Sequence, residues 1–256
     1  MIVAVSATAD PLLSLTTCWT ALRVWTHVLR GLAQIVWLFP RLSRQQRDKR
    51  VQAWARTMLK RLGVELEIVG APTVTGPMLL VSNHISWLDI VALHAACHCR
   101  FVAKADVKRW PLIGTLATGG GTLYVERESR RDAMRVVHQM AQALRDGDIL
   151  AVFPEGTTGD GNSVLPFHAN LIQAAISADA PVQPVALQFV EGQSRSPSRA
   201  VSYMGDESLL RSIWRTLCER ELCAVVAFGT PQGANARDRR VWARDLRREI
   251  TAMRER

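Results

Sequence analysis

The chain has 256 residues, and 48% of them are hydrophobic, which predicts a folded protein with one sizeable core and excludes a disordered chain. Lysine and arginine number 32 against 23 aspartate and glutamate residues, so the formal net charge is +9. This basic excess suits an anionic partner, such as a phospholipid surface, an acidic carrier protein, a phosphorylated substrate or a nucleic acid. Charge alone does not choose among these partners.

The amino terminus and the cysteines favour a cytosolic setting. Residues 1–10 lack the positively charged start and the long apolar core of a secretory signal, so we expect no export. The five cysteines form an odd set without a disulfide framework, which favours reduced thiols. Cys97-His-Cys99 together with His94 could form a metal cluster, but no second ligand pair follows at zinc spacing. We therefore expect no metal site.

Two amphipathic helices are predicted in the first 62 residues. In the first, within residues 11–40, polar side chains recur at helical spacing and apolar ones fall opposite them. The polar face consists of Arg23, His27, Arg30 and Gln34. These polar residues argue against a membrane-spanning segment and favour an interfacial helix.

The second helix, from about Ser43 to Leu62, has a dense basic face. Half of the eight tryptophans lie in the first 54 residues, and tryptophan rings favour the headgroup level of a membrane. We therefore predict membrane-associating helices at residues 1–62 and an α/β domain at residues 63–256.

A short strand followed by polar residues is the first candidate for chemistry. The apolar run Met78–Val81 predicts a buried strand that ends at His84, and Asp89 follows where a helix opens. His84 can accept a proton near neutral pH, and Asp89 can orient the ring and stabilise the imidazolium. The pair has the logic of a catalytic base and its orienting acid, without a protein nucleophile. The spacing alone also fits a helix start with Asp in its first turn.

Two further segments place unusual residues at predicted strand ends. Ile149–Phe153 is a second buried-strand pattern, and it ends in the glycine-containing turn Pro154–Gly161. Between the two strands, Gly119–Arg127 combines a glycine run, a short strand and an arginine fork suited to phosphate or carboxylate. Chemistry in open α/β sheets collects at the carboxyl ends of strands. We therefore expect an α/β fold with a central mixed, mostly parallel sheet flanked by helices, and a site at these ends.

Four ordered segments resemble the motifs of the glycerolipid acyltransferase family. They are Asn83-His84 with Asp89, Gly121–Arg127, Phe153–Thr157 and Val182–Val185, within roughly residues 75 to 190. The chain looks most like the bacterial type that acylates 1-acylglycerol 3-phosphate. The resemblance implies transfer of a fatty acyl group from acyl-CoA or acyl carrier protein to a lysolipid hydroxyl, giving phosphatidic acid in phospholipid biosynthesis. It implies no cofactor.

The expected catalytic residues are His84 and Asp89, and the expected substrate-binding residues are Arg127, Glu155, Gly156, Thr157 and Lys104. The resemblance assigns Arg127 to the acceptor's phosphate. Glu155 can accept a hydrogen bond from the acceptor hydroxyl or fix Arg127. Lys104 either assists an anionic substrate or is a solvated lysine.

Two positions depart from the family's pattern. Glu126 stands where family members usually have Asp, and Thr158 stands where many relatives carry Arg. The continuation from Thr158 to Asn162 looks like a subgroup that includes lyso-ornithine lipid acyltransferases. That lipid is therefore the alternative acceptor.

The expected mechanism is a direct displacement. His84 takes the proton of the lysolipid hydroxyl, Asp89 stabilises the imidazolium, and the hydroxyl oxygen attacks the thioester carbonyl. Backbone amides around Gly156 are the candidate donors to the developing oxyanion. The sequence contains no Gly-x-Ser-x-Gly elbow, so an acyl-enzyme route has no support.

The expected partners are a lysolipid, the thioester donor and an anionic membrane surface. We place the protein on the cytoplasmic face of the inner membrane, in a peripheral or monotopic position. A nucleic-acid binder would explain the charge, but no binding module is recognisable, so we expect no nucleic acid. A thioesterase could use the same His and Asp on water. A non-catalytic membrane adaptor would give no reason for His84 and Glu155.

Overall fold

The structure is a computed structural model, which describes residues 15–125, 130–205, 207–219 and 221–255. Within these residues one sheet is formed by the strands β1 (Val64–Val69), β2 (Met78–Ser82), β3 (Arg100–Lys104), β4 (Leu123–Val125), β5 (Ile149–Val152), β6 (Val182–Glu191) and β7 (Leu222–Phe228). Their order across the sheet is β1-β7-β6-β2-β5-β3-β4. Neighbouring strands are parallel except β6 and β7, which are antiparallel. The predicted mixed, mostly parallel sheet is confirmed.

Helices cover both faces of this sheet. The described α-helices are α1 (Leu15–Ala33), α2 (Arg44–Leu62), α3 (Leu88–Ala96), α4 (Ile113–Gly119), α5 (Arg130–Arg145), α6 (Gln173–Ala178), α7 (Leu209–Cys218) and α8 (Arg239–Arg254). Side chains of α2, α3 and α7 join the core on one face, and side chains of α5, α6 and α8 join the core on the other. The result is the three-layer arrangement that buries a largely parallel sheet.

Strand β2 lies at the centre of these layers. Its side chains alternate between the two cores, because Leu80 packs on one face while Leu79 and Val81 pack on the other. All three are fully buried. The neighbours of β2 are β5 and β6, so its carboxyl end opens between two other strand ends. This is the place at which open α/β sheets bind their ligands.

The first two helices form a hairpin on the outside of the first core. A π-helical turn at Gln34–Leu38 and a 3-10 turn at Phe39–Arg41 connect them. Ser43 starts α2 with a capping box: its side chain accepts from the Gln46 amide, and the Gln46 side chain accepts from the Ser43 amide.

His27 departs from the polar face that the sequence predicted for α1. Its side chain is buried, its ring stacks on Trp54 with the centroids 5.1 Å apart, and Nε2 lies 3.0 Å from the Trp54 carbonyl oxygen. Gly31 makes the approach possible, since a Cβ there would lie 2.5 Å from Trp54 Nε1. Burial lowers the pKa of His27. The residue therefore packs the hairpin together rather than facing solvent.

The apolar side of α1 faces outward. The exposed large apolar side chains of this segment are Leu15, Trp19, Leu22, Trp25, Leu29, Val36 and Trp37. None of the described helices is long and apolar enough to cross a membrane. A contiguous exposed patch of this kind marks a contact surface for lipid or protein. The separation of residues 1–62 from residues 63–256 as a membrane-associating unit stays a prediction.

Candidate active site

The register of the sheet brings two distant segments together. Val81 of β2 pairs with Val152 of β5, and the two strands are parallel. His84 and Glu155 each lie three residues beyond these partners, so they leave the sheet side by side. The His84 amide donates to Glu155 Oε1 at 2.9 Å. The sequence prediction that these two strand ends meet is therefore consistent with the structure.

His84 and Asp89 form a dyad. His84 Nδ1 lies 2.7 Å from Asp89 Oδ2, and the same oxygen accepts the amides of Ile85 at 2.6 Å and Ser86 at 3.0 Å. An ionised carboxylate only accepts hydrogen bonds, so the proton of the neutral ring belongs on Nδ1. The lone pair of Nε2 is then available to take a proton, and Nε2 has no hydrogen-bond partner among the described residues.

The two members of the dyad differ in how deeply they are buried. The Asp89 side chain is fully buried, whereas the His84 side chain is 19% exposed. The His84 ring stacks on Phe153, with centroids 4.0 Å apart and planes within 7°. Behind it, Phe101 stacks on Phe153 at 5.6 Å, and the buried His94 meets Phe101 edge-on. One face of the His84 ring is therefore covered by Phe153, while part of the side chain stays exposed.

Glu155 connects the backbone of His84 to the loop that follows β5. Its Oε2 accepts the Leu165 amide at 3.1 Å while Oε1 holds the His84 amide. Burial raises the pKa of Glu155, and these two hydrogen bonds act in the opposite direction. The sequence predicted substrate binding for this residue. Each oxygen already accepts one backbone amide, so Glu155 supports the backbone around His84, and its contact with substrate stays a prediction.

The turn after Glu155 approaches the dyad through its backbone. The Gly159 amide donates to the His84 carbonyl oxygen at 2.8 Å. Gly156 has a φ of 73°, which favours glycine, and its amide donates to the Phe153 carbonyl oxygen at 3.2 Å. The Gly156 amide is thus committed within the turn. The Thr157 amide has no partner among the described residues, so it is the better candidate donor to an oxyanion.

Thr158 and Arg254 connect the loop after β5 to two other parts of the chain. The Thr158 hydroxyl donates to the Tyr203 carbonyl oxygen, and the Tyr203 amide donates to the Ile85 carbonyl oxygen at 3.3 Å. Arg254, in the last turn of α8, donates to the Gly161 carbonyl oxygen. Burial lowers the pKa of Arg254, and the nearby Glu155 carboxylate opposes this. Sequence reasoning missed Arg254, because its only signal was the basic composition of the last helix.

The remaining predicted residues lie apart from the dyad or outside the described residues. Lys104 ends β3, is exposed, and forms an ion pair with Asp106 at 2.5 Å. It lies at the same sheet edge as His84, with the end of β5 between them. Arg127 lies outside the described residues, so its predicted phosphate contact stays a prediction. The described residues hold no group of three or more His, Cys, Asp or Glu side chains able to bind a metal.

The comparisons with known proteins show the family. A family model described as Acyltransferase matches residues 48–188, which include His84, Asp89 and Glu155. The chain belongs to this acyltransferase family.

Two bacterial relatives show which members of the family the chain resembles. A lyso-ornithine lipid O-acyltransferase from Brucella abortus is 34% identical over 87% of this chain and 88% of its own length. A 1-acyl-sn-glycerol-3-phosphate acyltransferase from Neisseria gonorrhoeae is 36% identical over 72% of each chain. The chain is thus similar to enzymes with two different acceptors.

A solved structure supports the fold. The 1-acyl-sn-glycerophosphate (LPA) acyltransferase PlsC from Thermotoga maritima matches with a TM-score of 0.64, covering 94% of this chain and 96% of its own. At 16% identity, this likeness shows the shared architecture and not the acceptor.

We expect Glu155→Gln to damage the site without removing the dyad. One oxygen becomes an amide N–H₂ that faces a backbone N–H, and a buried donor left without its acceptor costs about 1–3 kcal/mol. The free energy of unfolding should fall by about that amount, and kcat should fall roughly 10- to 100-fold because His84 is displaced. Glu65→Gln on the exposed face of β1 is the matched control. An unchanged kcat in Glu155→Gln would show that Glu155 is not needed to position His84.

Proposed function

We propose that the protein transfers a fatty acyl group from a thioester donor to the free hydroxyl of a lysolipid. The observation that carries this proposal is the His84–Asp89 dyad, whose Nε2 edge is open at the carboxyl end of the central strand. Family membership and the two named relatives support the reaction class. The thioester donor, acyl-CoA or acyl carrier protein, is what the resemblance to the family implies.

The reaction proceeds in one displacement. His84 Nε2 takes the proton of the acceptor hydroxyl while the hydroxyl oxygen forms a bond to the thioester carbonyl carbon. Asp89 stabilises the imidazolium through Nδ1–H, and the backbone amides around Gly156, that of Thr157 above all, are the candidate donors to the oxyanion. The carbon–sulfur bond then breaks, and the leaving thiolate takes the proton from Nε2. The products are an ester and a free thiol, with His84 returned to its starting state.

Two acceptors are candidates. The first is 1-acylglycerol 3-phosphate, which would give phosphatidic acid and would use Arg127 for its phosphate. The second is lyso-ornithine lipid, which the substitution of Thr158 for arginine favours. Threonine carries no charge that could bind a phosphate, and the Thr158 hydroxyl already donates to the Tyr203 carbonyl oxygen.

The outward apolar side of α1 supports contact with the membrane that holds the acceptor. Trp19, Trp25 and Trp37 are exposed on the same segment, and tryptophan rings suit the headgroup level. Basic residues of α2 lie next to them along the chain and would attract anionic lipid. We propose a peripheral position on the cytoplasmic face of the membrane.

We expect His84→Ala to lose acyl transfer while remaining folded. Removing a general base typically lowers the rate by about 10²- to 10⁴-fold. The measurement is single-turnover formation of radiolabelled ester from a thioester and a lysolipid, with circular dichroism to confirm folding. His138→Ala on α5 is the matched control. Near-normal ester formation by His84→Ala would exclude the proposed base, and release of free fatty acid in place of ester would support a thioesterase.

We expect Trp25→Glu with Leu29→Glu to weaken binding to vesicles that contain anionic lipid. Each change puts a charge on the apolar face that would enter the headgroup region. The measurement is sedimentation with liposomes at two salt concentrations. Val74→Glu, which adds a charge at an apolar residue that is 82% exposed elsewhere, is the control. Equal sedimentation of the double variant and the control would exclude α1 as the membrane surface.

A further inference from the structure

A cavity of about 420 Å³ is lined by Met204 and by six charged or polar residues. Its polar lining consists of Asp160, Asn162, Arg199, Ser202, Glu207 and Arg215. One wall comes from the turn after β5, and the other comes from α7 and the segment before it. The volume falls within the range of about 300–1,000 Å³ that small-molecule sites occupy.

Both walls are bonded to the residues that carry the base. On one side, the Gly159 amide donates to the His84 carbonyl oxygen at 2.8 Å, and Asp160 follows directly. On the other side, the Tyr203 amide donates to the Ile85 carbonyl oxygen at 3.3 Å, and Ser202 precedes it. A molecule seated in the cavity is therefore a near neighbour of the proton-accepting ring.

The charges of the cavity are balanced but only half of them are paired. Arg215 holds Glu207 through two hydrogen bonds, at 2.7 and 3.1 Å. Arg199 has no hydrogen-bond or ion-pair partner for its side chain in the part of the chain that the structure describes. Asp160 has no ion pair within 4 Å there. One cation and one carboxylate thus remain for a ligand.

Asp160 and Ser202 are prepared for hydrogen bonding. The Asp160 carboxylate accepts the Asn162 amide at 2.9 Å and the Asn162 side chain at 2.8 Å. These bonds lower the pKa of Asp160 and so keep it ionised. The Ser202 hydroxyl is buried without a hydrogen-bond partner among the described residues. A buried polar atom of this kind is costly unless a ligand or water satisfies it.

We propose that this cavity binds the polar head of the acceptor, and that the head it fits is a zwitterion with one ammonium and one carboxylate. The ammonium would pair with Asp160, and the carboxylate would pair with Arg199. A lysolipid built on a basic amino acid has this head. The inference rests on the proposed acyl transfer and extends it to the acceptor.

A phosphate head fits the same cavity poorly. Two arginines and two carboxylates give a formal charge of zero, so the cavity offers a dianion no net attraction. Asp160 would face the phosphate with a like charge at close range. Discrimination would then come from repulsion of the wrong head as well as attraction of the right one.

The test compares two acceptors with the same acyl chain and one acyl-CoA donor: lyso-ornithine lipid and 1-acylglycerol 3-phosphate. We expect the wild-type protein to prefer the zwitterionic acceptor in kcat/KM. Asp160→Asn should raise the KM for that acceptor at least tenfold, which corresponds to about 1.4 kcal/mol, and should change its kcat less. The ratio of kcat/KM between the two acceptors should shift toward the phosphate by more than tenfold.

One further cavity variant and two control variants guard against a folding artefact. Arg199→Gln changes an exposed side chain and should also raise the KM for lyso-ornithine lipid. The controls are Asp179→Asn and Arg240→Gln, which change exposed residues outside the cavity lining and should leave the ratio unchanged. The melting temperature of each variant shows whether a loss of activity comes from unfolding.

The outcomes separate the two levels of the proposal. Transfer to neither acceptor by the wild-type protein would reject the proposed function. Transfer with an acceptor ratio that neither Asp160→Asn nor Arg199→Gln changes would reject the cavity as the headgroup site while leaving the reaction in place. A wild-type preference for the phosphate acceptor would reject the zwitterionic head.

Discussion

The site depends on one buried carboxylate. Asp89 Oδ2 accepts the Ile85 and Ser86 amides and contacts His84 Nδ1, so a single oxygen fixes both the backbone turn and the His84 ring. In this turn the His84 amide donates to Glu155, and the His84 carbonyl oxygen accepts from the Gly159 amide. Removing the charge of Asp89 would therefore loosen the base and its surroundings together, because the contacts share one anchor.

The loop after β5 combines local hydrogen bonds with bonds to three distant parts of the chain. Glu155 accepts the His84 amide just beyond β2, Thr158 bonds the segment before α7, and Arg254 reaches the loop from α8. Four chain segments therefore meet at this turn. The turn also connects the His84–Asp89 pair to the cavity, since Gly159 bonds the His84 carbonyl oxygen and Asp160, the next residue, lines the cavity.

The features that depend on local sequence patterns were predictable from the sequence. The buried strands β2 and β5 are visible in the sequence as apolar runs. His84 and Glu155 each follow a paired residue of these strands by three positions, which brings them together. The burial of His27 was not predictable, because a helical wheel cannot show that Gly31 admits Trp54 from the neighbouring helix. The part played by Arg254 was not predictable either, because it is a tertiary contact between residues 93 positions apart. For Glu155, the residue type suggested a ligand for substrate, and only the structure showed two backbone amides on its oxygens.

The most direct test of the central claim is the protonation pattern of the His84 ring. Nitrogen-15 NMR of the histidine-labelled protein, assigned with His84→Gln, reports which ring nitrogen carries the proton of the neutral form. The account predicts a proton on Nδ1 in the wild-type protein and a loss of that preference in Asp89→Asn. A wild-type ring protonated on Nε2, with Nδ1 bare against Asp89, would contradict the assignment of His84 as the base.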